Sequence, residues 1–221
     1  NPSLLDGFKV KTTQARKGVT RRAFNPKELQ QIFGSDYYSD GLYNRSYQYW
    51  IIHLAAFTGA RVNELSQLTT SDIKQDDEGL WYFNITATED DGKTVKNEES
   101  RRIIPVHQKL IELGFIEYVE AKRAEVEEAG NPINLFDLNK AKADGYGKAA
   151  SQWFNTKYLR DYLKVDDKNV VFHSFRHRFI SSLAQAILDA SGLSEETANK
   201  ERIPEALILR RLAGHSVAHS M

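Results

Sequence analysis

The sequence contains no cysteine, which excludes disulfides and thiolate-bound metals and is in keeping with a reducing compartment. It also lacks a long apolar run. The longest, YWIIHLAAF at 49–57, includes a histidine and falls far short of the roughly 20 residues a membrane-spanning helix needs. No signal-like leader opens the sequence, and no internal repeat or low-complexity linker interrupts it. The expectation is a soluble, cytoplasmic protein with no membrane partner. Net charge is absent too: 30 Lys and Arg balance 30 Asp and Glu, so bulk charge gives no sign of a polyanionic partner. What remains is 221 residues, 41% apolar and 27% charged, an ordinary globular composition. Such a chain can bury roughly 70–75% of its unfolded surface in one large domain.

Charge is unevenly spread. Residues 9–22 hold six cations (Lys9, Lys11, Arg16, Lys17, Arg21, Arg22) and no acid, whereas 76–91 hold six acids and no cation. This can set a basic face against phosphate, or it can be a solvated arm and an acidic loop. Residues 1–23 read as a basic lead-in or linker, and 24–221 as one domain. The helix after it has clear start signals: Asn25 as N-cap, Pro26 in the first position and Glu28 in the capping-box position. Residues 34–46 look like a loop, and 47–57 and 61–68 like two helical segments parted by TGA at 58–60. LWYFNIT (80–86) and RRIIPV (101–106) are β-rich, joined by a long polar hairpin tip. Helical patterns follow from Leu110 to about Glu128, then at 148–164, 174–190 and 204–213, with Gly214 as a stop. The fold class is mainly α with a small antiparallel β-sheet (α+β).

HSFRHRF at 173–179 puts two histidines and two arginines at the start of an apolar helical pattern. A packing helix ordinarily keeps its cations on the wet face. His173 and His177 stand at i and i+4, as a zinc pair would, but serine replaces the glutamate that a metalloprotease helix places after its first histidine. Arg61, in TGARVNEL, has Glu64 one turn on and could be a surface pair. Lys93 and Lys96 lie in the hairpin tip, where lysines commonly do no more than solvate. His215, in LAGHS, follows a helix end and could simply cap it.

Taken together and in order, TGARVNELSQL, the lysine-bearing hairpin ending SRRIIPVH, HSFRH and LAGHS resemble the successive motifs of the tyrosine recombinase (phage integrase) catalytic domain, over about residues 24–221. Within that family the chain looks most like integrases of phages and genomic islands. The resemblance implies that fold and a set of catalytic residues: Arg61 as the first arginine, His173 and Arg176 as the H-x-x-R pair, and His215 as the late histidine. Lys96 matches the hairpin lysine because it lies nine positions before Pro105, with Lys93 as the alternative. His177 and Arg178 match positions outside the chemistry, and Glu64 looks like a partner that holds the first arginine's helix.

The chemistry suits these residue types. Attack on a phosphodiester gathers negative charge on the non-bridging oxygens, to which two guanidiniums can offer planar paired donors that lysine cannot imitate. His173 can accept the nucleophile's proton or hold an oxygen, and Lys96 can protonate the leaving 5′-oxygen. Neither a metal nor another cofactor is required, because arginines take the part that magnesium plays in other phosphoryl transfers. GYGK at 145–148 is not a P-loop.

The sequence departs from the family pattern in three places. The nucleophilic tyrosine ordinarily follows the late histidine by about nine residues, but only SVAHSM follows His215. None of the ten tyrosines matches, so the nucleophile is expected beyond Met221, near position 224, and the fragment itself is not expected to cleave. Residues 187–208 look like an insertion with a helix start at Ser194. Residues 1–221 are not expected to include the helical domain that ordinarily precedes the catalytic one. The implied partner is double-stranded DNA at attachment sites, with a homotetramer on DNA for the full-length protein and a monomer for the fragment. The competing readings are a non-catalytic DNA-binding module of the same fold and, more distantly, a metal-dependent hydrolase using His173 and His177.

Overall fold

The computed structural model describes residues 20–85, 101–129, 134–141 and 145–191. They form helices α1 (Pro26–Phe33), α2 (Asp36–Ser39), α3 (Ser46–Thr58) and α4 (Val62–Ser66), then strands β1 (Ile73–Gln75), β2 (Trp81–Ile85) and β3 (Arg102–Pro105). Helices α5 (Gln108–Glu112), α6 (Phe115–Ala129) and α7 (Gly147–Gln152), a π-helix (Trp153–Tyr162) and α8 (Ser174–Ser191) follow. A mostly helical body with one small antiparallel sheet is the expected class. Among the described residues, no helix is long and apolar enough to cross a membrane.

Helix α3 is the axis of the core. It buries residues all round its circumference, from Tyr47 and Trp50 through Ile51, Ile52, Leu54 and Ala55 to Thr58, as an apolar helix enclosed by neighbours must. Helices α4, α5, α7 and α8 pack around it. The sheet has order β1-β2-β3 and is antiparallel throughout, with Phe83 opposite both Ile73 and Ile104. Along β3 the inward side chains are Arg102 and Ile104, and the outward ones Ile103 and Pro105. Ile85 pairs with Arg102, so the expected hairpin exists at its root. Its tip, residues 86–100, lies outside the described residues.

The capping box at α1 forms as expected: Glu28 N–H donates to Asn25 Oδ1 at 2.9 Å, and Asn25 N–H donates to Glu28 Oε2 at 2.8 Å. The end of the basic lead-in is already part of the body. Arg22 bridges Glu28 and Asp167, at 2.5 Å and 2.7 Å, and Phe24 is buried against Phe154 and Phe175.

Five elements differ from the sequence reading. The expected helix from Leu110 onward is two helices, broken at Gly114, whose φ of 84° suits glycine best. The segment 61–68 closes as a helix at Ser66. The stretch read as loop holds the short α2, and β1 adds a third strand. Most of 148–164 is π-helix: Leu163 N–H bonds back to Tyr158 O, and the buried side chains recur in steps of five, Trp153, Tyr158, Leu163 and Phe154, Leu159, matching i→i+5 hydrogen bonds. The helices expected at Ser194 and at 204–213 lie outside the described residues.

Candidate active site

The first arginine is placed by the end of α3. Gly59 closes that helix in the left-handed region (φ 60°, ψ 14°), with its N–H donating to Ala55 O. Thr58 stiffens the exit: its hydroxyl donates to Leu54 O at 2.6 Å and accepts from Ala60 N–H at 3.1 Å. The chain then enters α4 at Arg61, whose backbone N–H donates to Glu64 Oε2 at 2.8 Å and whose Nη1 donates to Glu64 Oε1 at 2.7 Å. Glu64 therefore holds the backbone and the side chain of Arg61 together. Asn63 anchors the same turn, its Oδ1 accepting from Gly147 N–H at 3.1 Å.

Glu64 has a second cation. Arg102, on the inward face of β3, donates from Nη2 to Glu64 Oε2 at 2.8 Å and from Nη1 to Oε1 at 3.3 Å. The Glu64 and Arg102 side chains are 2% and 1% exposed, whereas Arg61 keeps 24%, so the open end of this chain of charges is Arg61. Burial works to raise the Glu64 pKa, but the hydrogen bond and charge of Arg102, with the N–H and charge of Arg61, outweigh it and bring it down to about 2. The carboxylate is ionised at all ordinary pH. Removing one partner of such a buried pair typically costs about 3–5 kcal/mol, because it strands a bare charge.

The H-x-x-R segment enters from the other side. Ser174 starts α8, its Oγ accepting from Val171 N–H at 3.1 Å, and Phe172 N–H donates to Asn155 Oδ1 at 2.8 Å. Phe172 and Phe175 are buried, and they turn this end of the helix inward. Arg176 follows them in: it is 4% exposed, and its Nη1 donates to Gly59 O at 2.6 Å, which joins the two arginine-bearing turns. Burial, followed by the charges of Arg61 and Arg102, lowers the Arg176 pKa to about 10, so the guanidinium remains charged near neutrality. Among the described residues, three guanidiniums and one carboxylate meet here.

His173 stands at the mouth of this cluster. Desolvation, then the charges of His177, Arg176, Arg61 and Arg21, hold its pKa down, to about 4. The residue is nevertheless exposed, so solvent and any bound anion temper that depression; its direction keeps the imidazole unprotonated at physiological pH, as a proton acceptor must be. The rings of His173 and His177 lie edge to face, 4.9 Å apart.

Of the five residues expected to act, the structure brings together Arg61, His173 and Arg176. Lys96 and His215, like Lys93, lie outside the described residues. Three contributors went unread in the sequence. The carbonyl of Gly59 carries no side-chain signal. Arg21 bonds to Lys168 O at 2.7 Å and reaches His173 through its charge. Arg102 did have a signal: strand alternation puts it on one face with Ile104 and Val106, both buried, and an arginine inside that row needs a carboxylate partner. Tyr38 and Tyr158 sit in an aromatic cluster where burial raises their pKa values, the reverse of what a nucleophile needs.

The structure is thus a helical domain with a small sheet and a cluster of arginines turned inward around Glu64 and Gly59. Residues 22–198 match the phage integrase family, and the chain belongs to that family. Among solved structures it is similar to the Tn1549 transposon integrase in complex with transposon right-end DNA, at 16% identity and a TM-score of 0.38. That match covers 94% of this chain and 65% of that one, so this chain spans less than two thirds of its length. No curated protein matches it significantly.

Proposed function

We propose that residues 24–221 are the catalytic domain of an integrase that cuts and rejoins double-stranded DNA at attachment sites through a 3′-phosphotyrosyl intermediate. The observation that carries this reading is the convergence of three motif residues: Arg61 and Arg176 are joined through the Gly59–Glu64 turn, and His173 lies within reach of both their charges. In this scheme the two guanidiniums take the non-bridging oxygens of the scissile phosphate, where charge develops. A tyrosine from sequence following Met221 attacks phosphorus. His173 accepts its proton, a P–O bond to the phenol forms, and the bond to the 5′-oxygen breaks. Lys96 supplies the proton that leaves with the 5′-hydroxyl, and His215 closes the pocket on the phosphate. Energy is kept in the covalent bond, so the step calls for neither ATP nor a metal. Residues 1–23 serve as the linker from a preceding DNA-clamping domain, and the whole protein works as a tetramer on paired sites.

The test is a chain extended through the following ten residues, incubated with a nicked duplex that traps the cleaved strand. A covalent protein–DNA adduct, formed in excess chelator, is the expected result. Binding with no adduct would favour the non-catalytic module, and dependence on added metal would favour the hydrolase. The general acid has its own signature. Lys96→Ala in that protein is expected to slow cleavage of ordinary DNA and to be rescued by a 5′-bridging phosphorothiolate, whose leaving group needs no proton. Rescue of Lys93→Ala instead would move the role to that lysine.

A further inference from the structure

We infer that Arg102 is a positioning residue for cleavage, acting through Glu64 to fix the guanidinium of Arg61. The inference rests on the proposed chemistry but goes beyond its list of residues. Arg102 is too deeply buried to meet DNA, at 1% side-chain exposure. It presents two donors to the carboxylate that holds Arg61 by both backbone and side chain. The three groups form a row from the sheet to the active-site mouth, along which exposure rises from 1% and 2% to 24%.

This row has a mechanical consequence. Glu64 alone, on the first turn of a five-residue helix, could swing with Arg61. Clamped by Arg102 from β3, it is referenced to the sheet. Arg102 also pairs with Ile85 at the root of the hairpin, so the same clamp ties the base of the segment carrying Lys96 to the arginine turn. A guanidinium displaced by about 1 Å from its phosphate forfeits on the order of 10²-fold in rate, which is the scale on which such a clamp matters. A carboxylate kept ionised by its neighbours suits this task, since a protonated one would release both arginines.

A purely structural ion pair would behave differently, and two variants of the extended chain separate the cases. Arg102→Lys keeps the buried charge but offers one ammonium in place of a fork, so the protein stays folded. The double variant Glu64→Gln/Arg102→Met removes both buried charges, a change that often leaves stability intact or improves it. Both are expected to bind duplex DNA like the parent and to cleave about 10- to 100-fold more slowly. The loss should persist on the 5′-bridging phosphorothiolate, because the defect lies at Arg61 and not at the leaving group. In parallel, the Arg61 Nε–H resonance should shift and broaden in both variants while both remain folded, a readout independent of activity. Parental cleavage by the folded double variant, or complete rescue by the phosphorothiolate, would overturn the inference, as would an unmoved Arg61 resonance. Failure of the unsubstituted extended chain to form an adduct would count against the proposed function instead, with the Arg61 resonance still reporting on the clamp.

Discussion

Arg176→Lys is expected to lower strand cleavage by the extended protein about 10²- to 10³-fold, the usual consequence of losing one preorganised donor to developing charge, while duplex binding stays within about twofold of the parent. Two features make the site intolerant. Arg176 is buried and already commits Nη1 to Gly59 O at 2.6 Å, and a planar fork can hold that carbonyl while facing a phosphate oxygen with another N–H. A lysine ammonium is a single point on a flexible stem and cannot serve both in fixed geometry. The site also penalises a buried cation, lowering the pKa of arginine itself to about 10, so a lysine there would lose charge far more readily. Single-turnover cleavage and a gel-shift titration on the same preparation check the prediction. Equal cleavage by both proteins would remove Arg176 from the mechanism.

Gly59→Ala is expected to destabilise the domain by about 2–4 kcal/mol, combining the cost of a left-handed alanine with that of overpacking. Gly59 sits at φ 60°, and a Cβ there would lie 2.4 Å from Cδ1 and 2.8 Å from Cγ of Phe179, on α8. Relief requires α8 to shift, and α8 carries Arg176, so cleavage should fall along with stability. Gly41 provides the control: its φ is 65°, but no atom lies within 4 Å of a Cβ, so Gly41→Ala should cost only about 1–2 kcal/mol. Adding Phe179→Ala should recover part of the Gly59→Ala loss, a non-additivity that chemical denaturation would measure. Equal costs at Gly59 and Gly41 would show that the ring yields freely and that the two turns are not rigidly joined.

What could be read from the sequence was local in origin. The start of α1 was legible because Asn25, Pro26 and Glu28 make its cap among themselves. Strands β2 and β3 were legible because both are rich in aromatic and β-branched residues and a polar tip parts them. Strand β1 has three residues, too few for any period, and the π-helix repeats its buried side chains in steps of five, a spacing with no signature on an α-helical pattern. The same division runs through the site. Arg61, His173 and Arg176 were singled out by short motifs, and Glu64 as a partner by lying one turn on. Arg102 meets Glu64 across 38 positions, and Gly59 meets Arg176 across 117. Such pairings are set by how the sheet and α8 pack on α3, so only the folded chain brings them together.

In the proposed mechanism a single DNA phosphate sits between Arg61 and Arg176. Its most direct test is a crystal structure of the protein, extended by the following ten residues, on a nicked duplex site. The expected result is one phosphate with a non-bridging oxygen on each guanidinium, His173 at its edge, and Lys96 and His215 closing over it. A scissile phosphate bound elsewhere, with Arg61 and Arg176 contacting only protein, would contradict it.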